Sequence, residues 1–295
     1  MLVRMFNFWY FFWLVISAGA TVGLYFLLRN RSEKTKKVVL GSLLFLALIV
    51  HFLKLLIPPY SINETARLRD SWFINICGAN IFFFPFLFLT KNKYIKDYMF
   101  YIGLLGGGLA LLYPTEALNK TIENPYVLEV VRFYFHHLTL FAVPLLMVLL
   151  GLHRPSYKRV LSCPIGVLLL MLFIMLNQVL QSELGFVPLR DADFLGIGYQ
   201  NTSFIWGPGD DALAKPFAFL CPKIFKTVPV GEFKGQEKYW PWFWIIVPVF
   251  VYLTVISFGL CMIFDFKNFK NDFIKFKNKV FDYFKNLKEK NNKLD

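Results

Sequence analysis

The apolar residues of this chain arrive in long unbroken blocks, without the one-sided stripes of a soluble amphipathic helix, and that pattern constrains the fold more than any motif does. A helix needs about 20 apolar residues to cross roughly 30 Å of hydrocarbon. Blocks of this kind occupy residues 5–28, 38–57, 71–90, 98–113, 126–152, 161–181 and 240–264. In lipid every backbone N–H and C=O must be satisfied within the protein, which leaves helices for such blocks. The expectation is an all-α polytopic membrane helical bundle with seven transmembrane helices. It comprises a membrane domain over 1–264 and a basic cytoplasmic tail over 265–295.

Lysine and arginine set the orientation. The links RNRSEKTKK, KNKYIKD and HRPSYKR follow the first, third and fifth blocks and are strongly basic, whereas SINETARLRD and TEALNKTIENP are nearly balanced. This alternation predicts an outer N-terminus, a cytoplasmic C-terminus and a location in the cell membrane. The first block has the regions of a signal peptide. Cleavage there would leave the most basic link outside, so the block reads as a span.

The net charge of +13 collects in the cytoplasmic links and the tail. There it meets anionic inner-leaflet lipids, at roughly 1 kcal/mol per basic residue, so nucleic acid is not an expected partner. The tail repeats Phe266, Phe269, Phe273, Phe276, Val280, Tyr283, Phe284 and Leu287 among lysines. This spacing predicts an amphipathic helix on the inner leaflet, or a partner helix. The outer loop 182–239 holds too many large apolar residues for a solvated tether and is expected to fold back over the outer mouth.

Ionisable residues in a span cost about 2.5–3.5 kcal/mol each on the insertion scale, so they mark pairs, cavities or chemistry. The fifth block carries Glu129, Arg132, His136 and His137. Glu129, Arg132 and His136 share a helix face, with Glu129 and Arg132 reading as a neutralising pair, and His137 points about 100° away from His136. The third block carries Asn75, Cys77 and Asn80 in its outer half, with Cys77 about two turns below the boundary. A thiol beside an imidazole is an activated nucleophile; a lone membrane cysteine is otherwise a small hydrophobe. His51 fits the same outer cavity, while Lys54 reads as snorkelling outward. The glycines of GLLGGG read as close helix packing, since no Lys-Ser/Thr follows them. No CxxC or HExxH occurs, so neither a metal nor another cofactor is expected. The four cysteines do not suggest a disulfide scaffold.

The order INIC, YIGLLGGGLALLYP, RFYFHHLTL, YQNTSFIW and YWPWFW resembles the YwaF-like integral membrane proteins of bacteria and the animal transmembrane protein 164, an acyltransferase acting on phospholipids. The resemblance covers most of the chain, most clearly from the third block onward. It implies Cys77 as nucleophile and His137 as general base, acting on glycerophospholipid acyl esters through an acyl-thioester. Asn75 or Asn80 would serve as oxyanion donor, and Asn201, His136, Arg132 and Glu129 as supporting residues. Asn75 stands where bacterial members often carry a histidine, and the doubled His136–His137 leaves either imidazole as a candidate base. The rival expectation is a transporter or small-molecule binding protein with its polar pocket in the outer half of the bundle, lined by Glu129, Arg132, His136, His137, Asn177 and Gln178.

Overall fold

A computed structural model describes residues 3–58, 61–62, 75–114, 128–184, 202–208, 215–228, 230–232 and 234–291. Among them the regular structure is helical: α1 (Phe8–Leu28), α2 (Glu33–Leu53), α3 (Ile76–Leu89), α4 (Lys93–Ile102), α5 (Gly108–Leu112), α6 (Leu128–Leu149), α7 (Ser162–Glu183), a short α8 (Lys215–Phe219) and α9 (Ile246–Asn291). A π-helical run, Gly103–Gly107, joins α4 to α5 as one rod, and a 3-10 turn, Lys54–Leu56, extends α2. Six helices are long and apolar enough to cross a membrane; α3, the counterpart of the expected 71–90 span, is shorter, and residues 71–74 lie outside the described residues.

The helix boundaries follow local chemistry. Asn7, Ser32, Asn75 and Asn92 accept backbone N–H groups at the starts of α1, α2, α3 and α4, which satisfies donors that a helix N-terminus leaves over. The core lies where α2, α3, α6 and α7 meet, around Leu40, Leu44, Phe84, Val143, Leu146, Met147 and Ile174, with Trp244 from the start of the last span. In α3 the buried stripe Asn80, Ile81, Phe84 and Phe88 repeats at helical spacing and faces that core.

The glycine run packs as its sequence suggests. A Cβ at Gly103 would lie 2.5 Å from the Leu140 carbonyl and one at Gly107 would lie 2.8 Å from the Phe141 nitrogen, so only glycine lets the rod meet α6 backbone to backbone.

One end of the bundle gathers the basic links. Lys36 Nζ donates to the Leu150 carbonyl at 3.2 Å. The fully buried Asp97 carboxylate accepts from His153 Nε2 at 2.6 Å and from Arg159 Nε at 2.6 Å. The Tyr157 backbone N–H donates to Asp265, and Asp272 receives the Tyr157 hydroxyl and pairs with Lys158. These contacts tie the start of α4, the α6–α7 link and α9 into one basic end, as the alternation of basic links requires. Past residue 264 the last helix continues without a break to Asn291, because no glycine or proline interrupts it.

Candidate functional site

The opposite, far end holds the polar residues. α3 begins at Ile76, with Asn75 as its cap: Asn75 Oδ1 accepts the Gly78 N–H at 2.6 Å, and the Ile76 N–H donates to Ser203 Oγ at 3.2 Å. Cys77 therefore sits in the first helical turn, higher than the two turns expected from a helix opening near residue 71. Its side chain heads the core-facing stripe of α3 and is half-buried. Ser203 belongs to the segment 202–208, which docks through the Trp244 indole N–H to the Phe204 carbonyl at 2.9 Å and the Trp242 N–H to the Ile205 carbonyl at 2.8 Å. Ser203 and Phe204 adopt left-handed backbone, φ 59° and 60°, conformations that non-glycine residues hold only when the surroundings enforce them.

Below Cys77, Asn80 is buried and its Oδ1 accepts the Tyr98 hydroxyl at 2.7 Å. Tyr98 lies close enough to Cys77 to interact with it electrostatically. Its ring rests against Gly166 of α7, where any Cβ would collide with it. With its oxygen engaged, Asn80 turns its NH₂ donors away from Tyr98. Tyr98 was not among the residues singled out from the sequence, because no spacing rule connects it to Asn80 on a different helix.

The two histidines of α6 are both buried and diverge. His136 shares a face with Val143 and Met147, on the core side. His137 turns toward Phe133, whose ring centroid lies 4.2 Å away, and its Nδ1 meets the Phe133 carbonyl at 2.8 Å. A carbonyl only accepts, so Nδ1 carries the proton and the neutral ring presents Nε2 as a lone pair. That is the tautomer a general base requires.

His136 faces α2, with its ring centroid 6.1 Å from that of His51. Arg132 and Lys54 act on it electrostatically as well. Lys54 is 4% exposed, so the outward snorkelling expected of it does not occur: the 3-10 turn at the end of α2 carries the side chain inward beside His51. Measured along the helices from the Lys36–Leu150 contact at 1.5 Å per residue, His51 and His136 stand at about 21–22 Å, and Lys54 and Arg132 both at about 27 Å. The Gly41–Phe88 packing fixes the register of α3 against α2 and puts Cys77 level with His51 to about 2 Å. Gln178 and Gln181 of α7 are buried as well.

His136 Nε2 in this layer, and Gln181 Nε2 on α7, are buried without a hydrogen-bond partner, each at a cost of about 1–3 kcal/mol. The neighbouring Asn177 also leaves its Nδ2 unpartnered. The side chain of Glu129 and the whole of Asn201 lie outside the described residues. Of the expected site, the fold thus brings α3 and α6 into contact and sets Cys77, His51 and His136 in one layer, with Asn75 spent partly on capping.

An apolar multi-helix bundle with a buried polar layer toward one end defines a polytopic α-helical membrane protein. The profile described as the TMEM164 family matches residues 5–262, and the chain belongs to that family. The match includes the first two spans, where the short motifs were least informative. Searches of curated proteins and of solved structures give no significant match.

Proposed function

We propose that the chain is a membrane-embedded acyltransferase or acyl hydrolase acting on glycerophospholipid acyl esters, with Cys77 as nucleophile and His137 as general base. The observation that carries this reading is a core-facing thiol in the first turn of α3, packed against a helix that bears two buried imidazoles: His136 on the core side and His137, turned toward Phe133, with its Nδ1 committed to a carbonyl. The Cys77 proton passes to His137 Nε2 and the sulfur attacks the ester carbonyl carbon. The positive end of the α3 dipole favours the anionic sulfur, and the Asn80 amide donates to the oxyanion. The carbon–oxygen bond then breaks and the imidazolium returns the proton to the departing lysolipid oxygen, leaving an acyl-thioester. A second lipid hydroxyl, or water, gives its proton to His137 and attacks the thioester carbonyl. The carbon–sulfur bond breaks, and Cys77 is reprotonated.

In this reading the basic end faces the cytoplasm and the far end opens to the outer leaflet of the cell membrane. The test is lysolipid release from isotopically labelled phosphatidylglycerol by purified protein in nanodiscs. Cys77→Ser should abolish it and His137→Ala should lower it by about 10²–10⁴, the usual contribution of a general base. Unchanged release in both variants rules the dyad out. A chain that instead moves a solute across vesicles, and depends on Arg132 but not on Cys77, is a transporter.

A further inference from the structure

We propose that His51, Lys54, Arg132 and His136 form the seat of a phosphate group, and that the ligand class is the phosphate-bearing headgroup of a lipid. The inference rests on the acyl-transfer reading for its place in a reaction, but the seat stands on its own geometry. Four basic side chains from two packed helices converge at the far end: the His51 and His136 rings lie 6.1 Å apart, and Lys54 and Arg132 both act on His136. Lys54 and both histidines are 4% exposed. Basic side chains in a span mark partners, a cavity or a ligand site.

The second observation is His136 Nε2, which is buried in the cluster and has no hydrogen-bond partner. An N–H on this atom is a donor waiting for an acceptor, and Arg and Lys complete the donor set that phosphate oxygens require.

Height selects the source of the phosphate. Lys54 and Arg132 stand about 27 Å from the basic-end contact, near the far boundary of a hydrocarbon layer of about 30 Å, which is headgroup depth. Cys77 lies level with His51, about one turn deeper. In a glycerophospholipid the acyl ester lies a few bonds below the phosphate, on the hydrocarbon side. A phosphate held between Lys54 and Arg132 therefore lowers the ester toward the thiol.

The test measures binding to Cys77→Ser protein in detergent, which lacks the nucleophile and cannot turn over. Three probes are compared by titration calorimetry: dihexanoyl phosphatidylglycerol, the matching phosphate-free dihexanoylglycerol, and inorganic phosphate. The expected result is that the phospholipid binds at least tenfold more tightly than dihexanoylglycerol. Inorganic phosphate should compete with it, more weakly than the lipid headgroup does. Lys54→Gln and Arg132→Gln should each lose tenfold or more for the phospholipid and leave dihexanoylglycerol binding unchanged. Equal affinity for the phospholipid and dihexanoylglycerol overturns the seat without any change to the cluster, so misfolding of a variant does not shield the proposal. Phosphate binding tighter than that of the lipid overturns the lipid assignment. A chain that binds phospholipid through this cluster yet never forms a thioester keeps the seat and loses the acyl-transfer reading, so the two failures are distinct.

Discussion

Replacing single glycines in GLLGGG separates close packing from mere helix propensity. Alanine is worth about 1 kcal/mol over glycine in a helix interior, so propensity alone predicts a stabilised protein at every position. The geometry predicts otherwise. At Gly103 a Cβ would stand 2.5 Å from the Leu140 carbonyl and 2.7 Å from Pro144 Cγ; at Gly107 it would stand 2.8 Å from the Phe141 nitrogen and 3.0 Å from the His137 carbonyl. These are backbone and proline atoms that cannot swing aside, so the whole α4–α5 rod must move off α6. Overpacking of this kind costs about 1–3 kcal/mol, which leaves Gly103→Ala and Gly107→Ala destabilised by up to about 2 kcal/mol after the propensity gain. Nothing lies within 4 Å at Gly106, and Gly106→Ala should be neutral or more stable by under about 1 kcal/mol. Equilibrium unfolding in mixed micelles, followed by tryptophan fluorescence, measures the series. Gly103→Ala more stable than the parent by the roughly 1 kcal/mol that propensity alone gives, or Gly106→Ala less stable than Gly103→Ala, would refute the packing argument.

Further predictions concern both ends of the bundle. Asp97→Asn leaves Arg159 and His153 without their carboxylate at the basic end and should cost about 3 kcal/mol in the same unfolding assay; a loss under 0.5 kcal/mol would contradict the buried pairing. Cys221 lies in the link between α7 and α9, which the proposed orientation puts outside, and burial pushes its thiol pKa up, so its reactive thiolate forms only at higher pH. In a chain lacking the other three cysteines, an impermeant maleimide added to intact cells should label Cys221 more slowly than a free thiol and accelerate as pH rises. Labelling only after the membrane is opened would reverse the proposed orientation. Past the bundle, α9 exposes Phe266, Phe273, Phe276 and Phe284 among lysines. Hydrogen exchange in nanodiscs should show this helix more protected when phosphatidylglycerol replaces phosphatidylcholine, and equal protection in both lipids would remove the inner leaflet as its partner.

The sequence makes the membrane bundle visible because apolar blocks of spanning length have few alternatives, and the basic links sort to one end for the same electrostatic reason. What it hides is contact across distant segments. Asp97 and Arg159 belong to different links, and no periodicity joins them. Lys54 reads as a snorkelling lysine until the turn after Leu53 carries it inward beside His51. The thiol of Cys77 is legible as a candidate, but its place in the first turn of α3 depends on Asn75 capping at that point, a choice among several polar residues upstream. The divergence of His136 and His137 follows from helical geometry alone; which of them meets His51 depends on how α6 is rotated against its neighbours.

The most direct test of the central claim is the intact mass of the purified protein after incubation with phospholipid vesicles, for the parent chain, Cys77→Ser and His137→Ala. The account predicts a hydroxylamine-labile gain of one acyl chain on the parent and none on either variant. A parent chain that gains no mass while its lipids stay unchanged, or an adduct that persists in Cys77→Ser, would contradict it.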